Sequence, residues 1–132
     1  MDRREFITKA AMAGAGLSMS PLLMRGANKK VSPSDKIKIG LIGCNGMGFS
    51  DLSAFLNNPE CECIALCDVD NNVLQSKAAA TQKIQGKKVR NLYKDWRDLI
   101  DNKDIDLVIV GTPDHWHCLQ MVGAAQMGKD VY

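Results

Sequence analysis

Ile37, Ile39, Leu41 and Ile42 form an aliphatic run that passes through Gly40, Gly43, Gly46 and Gly48, and Leu52, Phe55 and Leu56 recur at helical spacing directly after it. A strand that turns into a helix over a few glycines has no length for a hairpin return. The next strand is therefore reached across the helix and lies parallel to the first. The rest of the chain keeps this alternation. Residues 61–67 read as a second strand closing on Asp68, and Leu74, Ala78 and Thr81 mark a helical face that Gly86 ends. A short extended segment is expected around residues 89–92, then a brief helix carrying Trp96, Leu99 and Ile100. Residues 105–110 are a near-continuous apolar run, the mark of a strand covered on both sheet faces, and Gly111 with Pro113 ends it. Cys118, Val122 and Ala125 give the next helix its apolar spacing, Gly128 caps it, and Val131 with Tyr132 begin a further strand. This order predicts an α/β fold, a doubly wound parallel sheet with right-handed crossovers.

The 132 residues have room for one ordinary domain, and 45% hydrophobic with 24% charged residues is the balance of a chain that buries a core. A formal charge of +2, with basic residues scattered among acids, gives no electrostatic face for nucleic acid. Residues 1–27 are read apart from the fold. Arg3 and Arg4 precede Glu5, Phe6, Ile7 and Lys9, and an uncharged stretch of 15 residues runs from Ala10 to Met24. This order resembles a twin-arginine export signal and implies a periplasmic protein. The stretch is short and rich in Ala, Gly and Ser, so no stable membrane span is expected. Removing residues 1–27 takes four basic and two acidic side chains from the 17 and 15 of the whole chain, which leaves 13 of each. Residues 28–35, with Ser32, Pro33 and Ser34, then form a polar linker, and the domain proper spans residues 36–132.

The five cysteines include no C-x-x-C pair; Cys61 and Cys63 share one strand face with Cys67 nearby, while Cys44 and Cys118 stand apart. They are expected to behave mostly as small buried apolar residues, with at least one free thiol, and no metal site is predicted.

The glycine-rich turn carries the first chemistry. A dinucleotide pyrophosphate needs backbone N–H groups and a helix N-terminus against its charge, with no side chain in the way. Gly43 and Gly48 fit the G-x-G-x-x-G spacing, whereas the middle glycine is replaced by Asn45, with Gly46 and Met47 following. Asn tolerates positive φ better than most residues, so the turn survives the exchange. Asp68 lies 20 residues after Gly48, where this fold sets an acid against ribose hydroxyls. The residues after it, Val69, Asp70, Asn71 and Asn72, supply no cation for a 2′-phosphate, so NAD is expected over NADP. Asp68 has a competing role as a helix N-cap, for which Asp70 is better placed.

Thr112, Pro113, Asp114, His115, Trp116 and His117 follow the fourth strand, at the edge where doubly wound sheets bind ligands. His115 and His117 are candidates for proton transfer or for holding a substrate hydroxyl, and Trp116 for stacking. The alternative is a helix start capped by Asp114, with the rest packed inward. The His-x-His pair has no identifiable third ligand for zinc.

With K-I-G-L-I-G-C-x-G-M-G from Lys38, C-D-V-D from Cys67 to Asp70, T-P-D-H-W-H from Thr112 and G-K-D-V-Y from Gly128 to Tyr132, the chain resembles the Gfo/Idh/MocA family of NAD(P)-dependent oxidoreductases. The resemblance covers residues 36–132. It implies a Rossmann-like domain with NAD as cofactor: Gly43, Asn45, Gly46, Met47 and Gly48 at the pyrophosphate, Asp68 at the ribose, and Thr112, Pro113 and His117 near the nicotinamide. Members act mainly on sugars, inositols and related polyols by hydride transfer. The family also implies a Glu-Lys-Pro motif, whose lysine assists proton transfer, and a second α/β domain that builds the sugar pocket and mediates homo-oligomers. Both are expected beyond Tyr132, so the chain is read as a partial domain that binds nucleotide without turning over substrate, and no catalytic residue is assigned within it. Two other readings accompany this one: an NAD-dependent glycosidase of the same superfamily, which keeps its cofactor and uses transient oxidation to eliminate a glycosidic bond, and a non-catalytic nucleotide-binding fragment.

Overall fold

The computed structural model describes Ser32 and residues 34–132; the expected export segment, residues 1–27, and most of the linker lie outside the described residues. Strand β1 (Ile37–Ile42) leads into helix α1 (Gly46–Leu56), and β2 (Cys61–Cys67) into α2 (Asn71–Gln85). Then follow β3 (Asn91–Tyr93), α3 (Trp96–Asp101), β4 (Leu107–Val110), α4 (Asp114–Gln126) and β5 (Asp130–Val131). The sheet order is β3-β2-β1-β4-β5 and every pairing is parallel, as the alternation predicts.

Each strand sends alternate side chains to opposite faces, and both faces find helices. On one face Ile39, Leu41, Cys63, Leu66 and Ile109 pack with Leu52 of α1 and Leu74 of α2. On the other, Ile42, Ala65, Cys67 and Val108 pack with Leu99 and Ile100 of α3 and Ala124 of α4. Local signals end the helices where the sequence predicts. Asp70 caps α2 by accepting hydrogen bonds from the Asn72 and Val73 amides at 2.8 and 3.4 Å, and Gly86 closes it in the left-handed region at φ 71°. At the end of α4, the Lys129 amide donates to the Ala124 carbonyl and the Gly128 amide to that of Ala125, a Schellman pairing with Gly128 at φ 74°.

Three expectations need correcting. The apolar run at residues 105–110 pairs only from Leu107. Ile105 is buried, but its amide turns back to the Asn102 carbonyl (3.3 Å), and the Asp106 carboxylate accepts from the Lys38 amide (2.8 Å), so this stretch enters the sheet from a turn. The third strand is shifted to residues 91–93, with Val89 as its buried lead-in. Helix α4 buries Gln120 and Ala124 and turns Cys118, Val122 and Ala125 outward. The cause is close helix packing: a Cβ on Gly123 would lie 2.9 Å from Cζ3 of Trp96, so only a small residue fits against α3. The polar Gln120 is tolerated inside because Thr112 Oγ1 donates to its Oε1 at 2.6 Å.

Candidate cofactor site

The C-terminal ends of β1, β2 and β4 lie side by side, and the residues just past them continue the ladder. The Gly43 amide donates to the Cys67 carbonyl (2.9 Å) and the Gly111 amide to that of Ile42 (2.8 Å). Gly43, Asp68 and Gly111 are thereby brought to one edge. Gly43 holds φ 83°, and a Cβ there would stand 2.7 Å from the Gly111 carbonyl carbon and 2.8 Å from the Thr112 amide nitrogen. A Cβ on Gly48 would meet the Gly43 carbonyl oxygen and stand 3.0 Å from Gly111 Cα. Three glycine backbones thus pack against one another with no room for a side chain between them.

Asn45 stands at the N-cap of α1 in extended conformation, and its side chain makes no capping bond. The first turn of α1 carries no acid. The positive end of this 11-residue helix therefore faces outward with its first amides uncapped by any side chain. Gly46 sits at φ 50°.

Asp68 is half-buried at the end of β2. Its Oδ2 accepts from the Cys44 amide inside the turn (2.9 Å) and its Oδ1 from the Asp70 amide (3.0 Å). The capping of α2 falls to Asp70, so Asp68 is not consumed as a cap. Each of its oxygens keeps a second lone pair for a hydroxyl donor.

A cavity of about 600 Å³ opens along this edge. Of the sequence candidates, Gly43, Asn45, Asp68, Thr112 and Pro113 line it, as does Trp116. Gly46, Met47 and Gly48 do not: Gly48 is buried beneath the turn, and Met47 points away, 73% exposed. His115 and His117 are also absent from the wall. Helix α4 begins at Asp114 with Pro113 as its N-cap, so both histidines sit in the first turn. His115 lies exposed beside the Trp116 ring, with centroids 5.9 Å apart. His117 Nε2 lies 2.5 Å from the Thr112 carbonyl oxygen. A carbonyl only accepts, so Nε2 carries the proton and is committed to holding the Thr112 loop. Among the described residues, no three His, Cys, Asp or Glu side chains are grouped as a metal site requires.

The cavity wall also includes Lys94, Asp95, Trp96 and Arg97, from the corner between β3 and α3. In the sequence Trp96 stands out only as a helix residue, and no cation directly follows Asp68. Parallel pairing of Cys67 with Tyr93 brings this corner beside Asp68, whose amide donates to the Tyr93 carbonyl (3.2 Å). The available signal was the K-D-W-R run directly after a strand expected beside the second one.

Four cysteines, Cys44, Cys61, Cys63 and Cys67, are buried, and Cys118 is exposed; all five are free thiols. Burial pushes the Cys67 thiol up to about 12, and the Asp68 charge adds to the effect. Burial likewise drives Cys63 to about 12 and raises Cys44, whose Sγ donates to the Cys67 carbonyl at 3.4 Å. A thiol with a pKa of 12 is ionised to only about one part in 10⁴ at pH 8. Ellman's reagent at pH 8 is expected to modify Cys118 alone in the native chain, and the other four only in guanidinium. A second fast-reacting native thiol would contradict the burial assignment.

Residues 37–132 match an oxidoreductase family with an NAD-binding Rossmann fold, the Gfo/Idh/MocA family. A glycosyl hydrolase family 109 protein of Shewanella baltica is 28% identical over 151 aligned residues, which cover all of this chain and 33% of the relative. The chain thus spans about a third of that relative's length. Among solved structures, the WlbA dehydrogenase of Bordetella pertussis, in complex with NADH and UDP-GlcNAcA, superposes with a TM-score of 0.61 at 26% identity, over 73% of this chain and 28% of that one. The myo-inositol dehydrogenase of Lactobacillus casei, solved with NAD(H) and myo-inositol, shares the fold, with a TM-score of 0.64 at 22% identity, over 73% of this chain and 27% of that one.

Proposed function

Because the chain belongs to the Gfo/Idh/MocA oxidoreductase family and carries its NAD-binding Rossmann fold, we propose that it is the dinucleotide-binding part of an oxidoreductase acting on a sugar or polyol. One observation carries the assignment to this edge: Gly43 and Gly111, packed backbone to backbone over the buried Gly48, line the cavity together with Asp68. The close glycine packing holds the turn and the uncapped start of α1 at this edge, and amides presented there suit a pyrophosphate. NAD supplies hydride acceptance and donation when bound. The chain's own groups do the rest. The turn at residues 43–48 and the amides opening α1 receive negative charge. Asp68 accepts ribose hydroxyls while its amide bonds keep it in place. Thr112, fixed by His117 and Gln120, and Pro113 border the end of the cavity assigned to the nicotinamide.

Calorimetric titration of the full chain with NAD is the direct check, with thermal unfolding run alongside to establish that the sample is folded. Saturable binding at one site is expected; a folded chain that takes up no NAD would refute the proposal. A second reading, an NAD-dependent glycosidase, draws on the family 109 name of the Shewanella relative. That reading requires a cofactor retained through purification and glycoside cleavage without added NAD by the whole protein, and a cofactor that exchanges freely during purification counts against it.

A further inference from the structure

We propose that Arg97 and Asp95, at the corner between β3 and α3, together set the choice between NAD and its 2′-phosphorylated form, with Asp95 holding Arg97 in a charge-neutral pair that keeps the site selective for NAD. The inference rests on the NAD-binding reading above and adds residues that the glycine turn and Asp68 do not involve.

Arg97 lines the same cavity as Asp68 and Val69, the residues bordering the ribose position. Its Nη1 donates to Asp95 Oδ1 at 3.2 Å and Oδ2 at 3.3 Å, and its guanidinium lies 4.7 Å from the Trp96 ring centroid. Trp96 is wedged against Gly123 of α4, so the platform under the guanidinium is rigid. Arg97 is therefore a planar cation held in the cavity wall by a carboxylate and an indole. A guanidinium in that position is the group that would receive a phosphate dianion through paired hydrogen bonds. Asp95 occupies it instead. The Arg97 amide donates to Asp95 Oδ1 (2.9 Å) and, with the guanidinium, holds the Asp95 carboxyl below the usual carboxylate range, so it stays charged at neutral pH. The pair is solvated, with side-chain exposures of 60% for Arg97 and 49% for Asp95, and is open to competition by a better anion.

Asp95 is also the N-cap of α3, which decides the substitution to use. Asparagine caps as well as aspartate and has the same shape, so Asp95→Asn removes the charge and keeps the helix start. The experiment titrates the full chain with NAD and with NADP in three forms: wild type, Asp95→Asn, and Asp95→Asn combined with Arg97→Gln. Wild type is expected to prefer NAD. Asp95→Asn should tighten NADP about tenfold while NAD stays within about twofold, and adding Arg97→Gln should abolish the gain. NADP affinity unchanged by Asp95→Asn in a chain that still binds NAD overturns the inference and leaves the NAD reading standing. A gain that survives Arg97→Gln also overturns it. If folded wild type binds neither dinucleotide, the NAD reading fails and the inference fails with it.

Discussion

Replacing Asp68 by alanine is expected to raise the dissociation constant for NAD about 100-fold. Two hydrogen bonds from ribose hydroxyls to an ionised acceptor contribute on the order of 3 kcal/mol together, and 1.4 kcal/mol corresponds to a factor of ten. Asp68 also accepts the Cys44 amide from within the glycine turn. Its loss therefore loosens the glycine turn as well as removing the proposed ribose contact, and the two effects add in the same direction. NADP should lose much less, because the removed charge is the one that repels a 2′-phosphate, and the ratio of the two affinities should fall by at least about tenfold. Asp70→Ala is the matched control. Asp70 stands two residues away but caps α2, so its loss costs about 1 kcal/mol of stability and leaves NAD binding intact. An Asp68→Ala chain that binds NAD within about threefold of wild type, with the NAD to NADP ratio unmoved, would remove Asp68 from the site.

The sequence makes the elements near the glycine turn easy to read because their signals are local. The change from strand to helical period at Gly43 fixes β1 and α1, the residues 61–67 run gives β2 to the residue, and Asp70 is recognisable as the cap because a helical pattern starts directly after it. Asp68 is legible by elimination, since two acids stand at one junction and only one can cap. Features that depend on packing between distant segments are not legible in this way. Lys94 and Arg97 lie more than 25 positions from Asp68, and only the parallel β2–β3 pairing sets them beside it, so a search for cations near Asp68 along the chain misses them. The inward face of α4 is hidden for a similar reason. Its larger apolar residues suggest the opposite face, while burial follows the small side chains at Gly123 and Ala124 that allow α3 to approach. His117 looks catalytic by residue type and location. Its ring instead bonds back to the Thr112 carbonyl, five positions earlier, an interaction that sequence spacing alone does not distinguish from a free imidazole.

Gly48→Ala is expected to be severely damaging although it adds a single methyl. The added Cβ clashes with backbone, the Gly43 carbonyl oxygen and the Gly111 Cα at 3.0 Å, while Leu41 Cδ1 at 3.4 Å is in ordinary contact, so no side-chain rotation can relieve the clash. Gly48 is buried in the first turn of α1, and its φ is one that alanine adopts readily, so the penalty is steric. Relief requires α1 to move away from the ends of β1 and β4, which opens the packing of Leu52 against Leu41 and Ile109. Overpacking of this kind costs on the order of 2–3 kcal/mol, or about 10–20 °C in Tm for a domain of this size. NAD binding should fall by more than the stability loss accounts for, since the displaced helix carries the amides proposed to meet the pyrophosphate. Gly46→Ala provides the contrast. No atom lies within 4 Å of a Cβ built there, and the cost is confined to the strained φ of 50°, on the order of 1 kcal/mol. Thermal unfolding and NAD titration of the two variants side by side give the decision. Equal losses in both would mean that backbone conformation, rather than contact among the three glycines, holds the turn together.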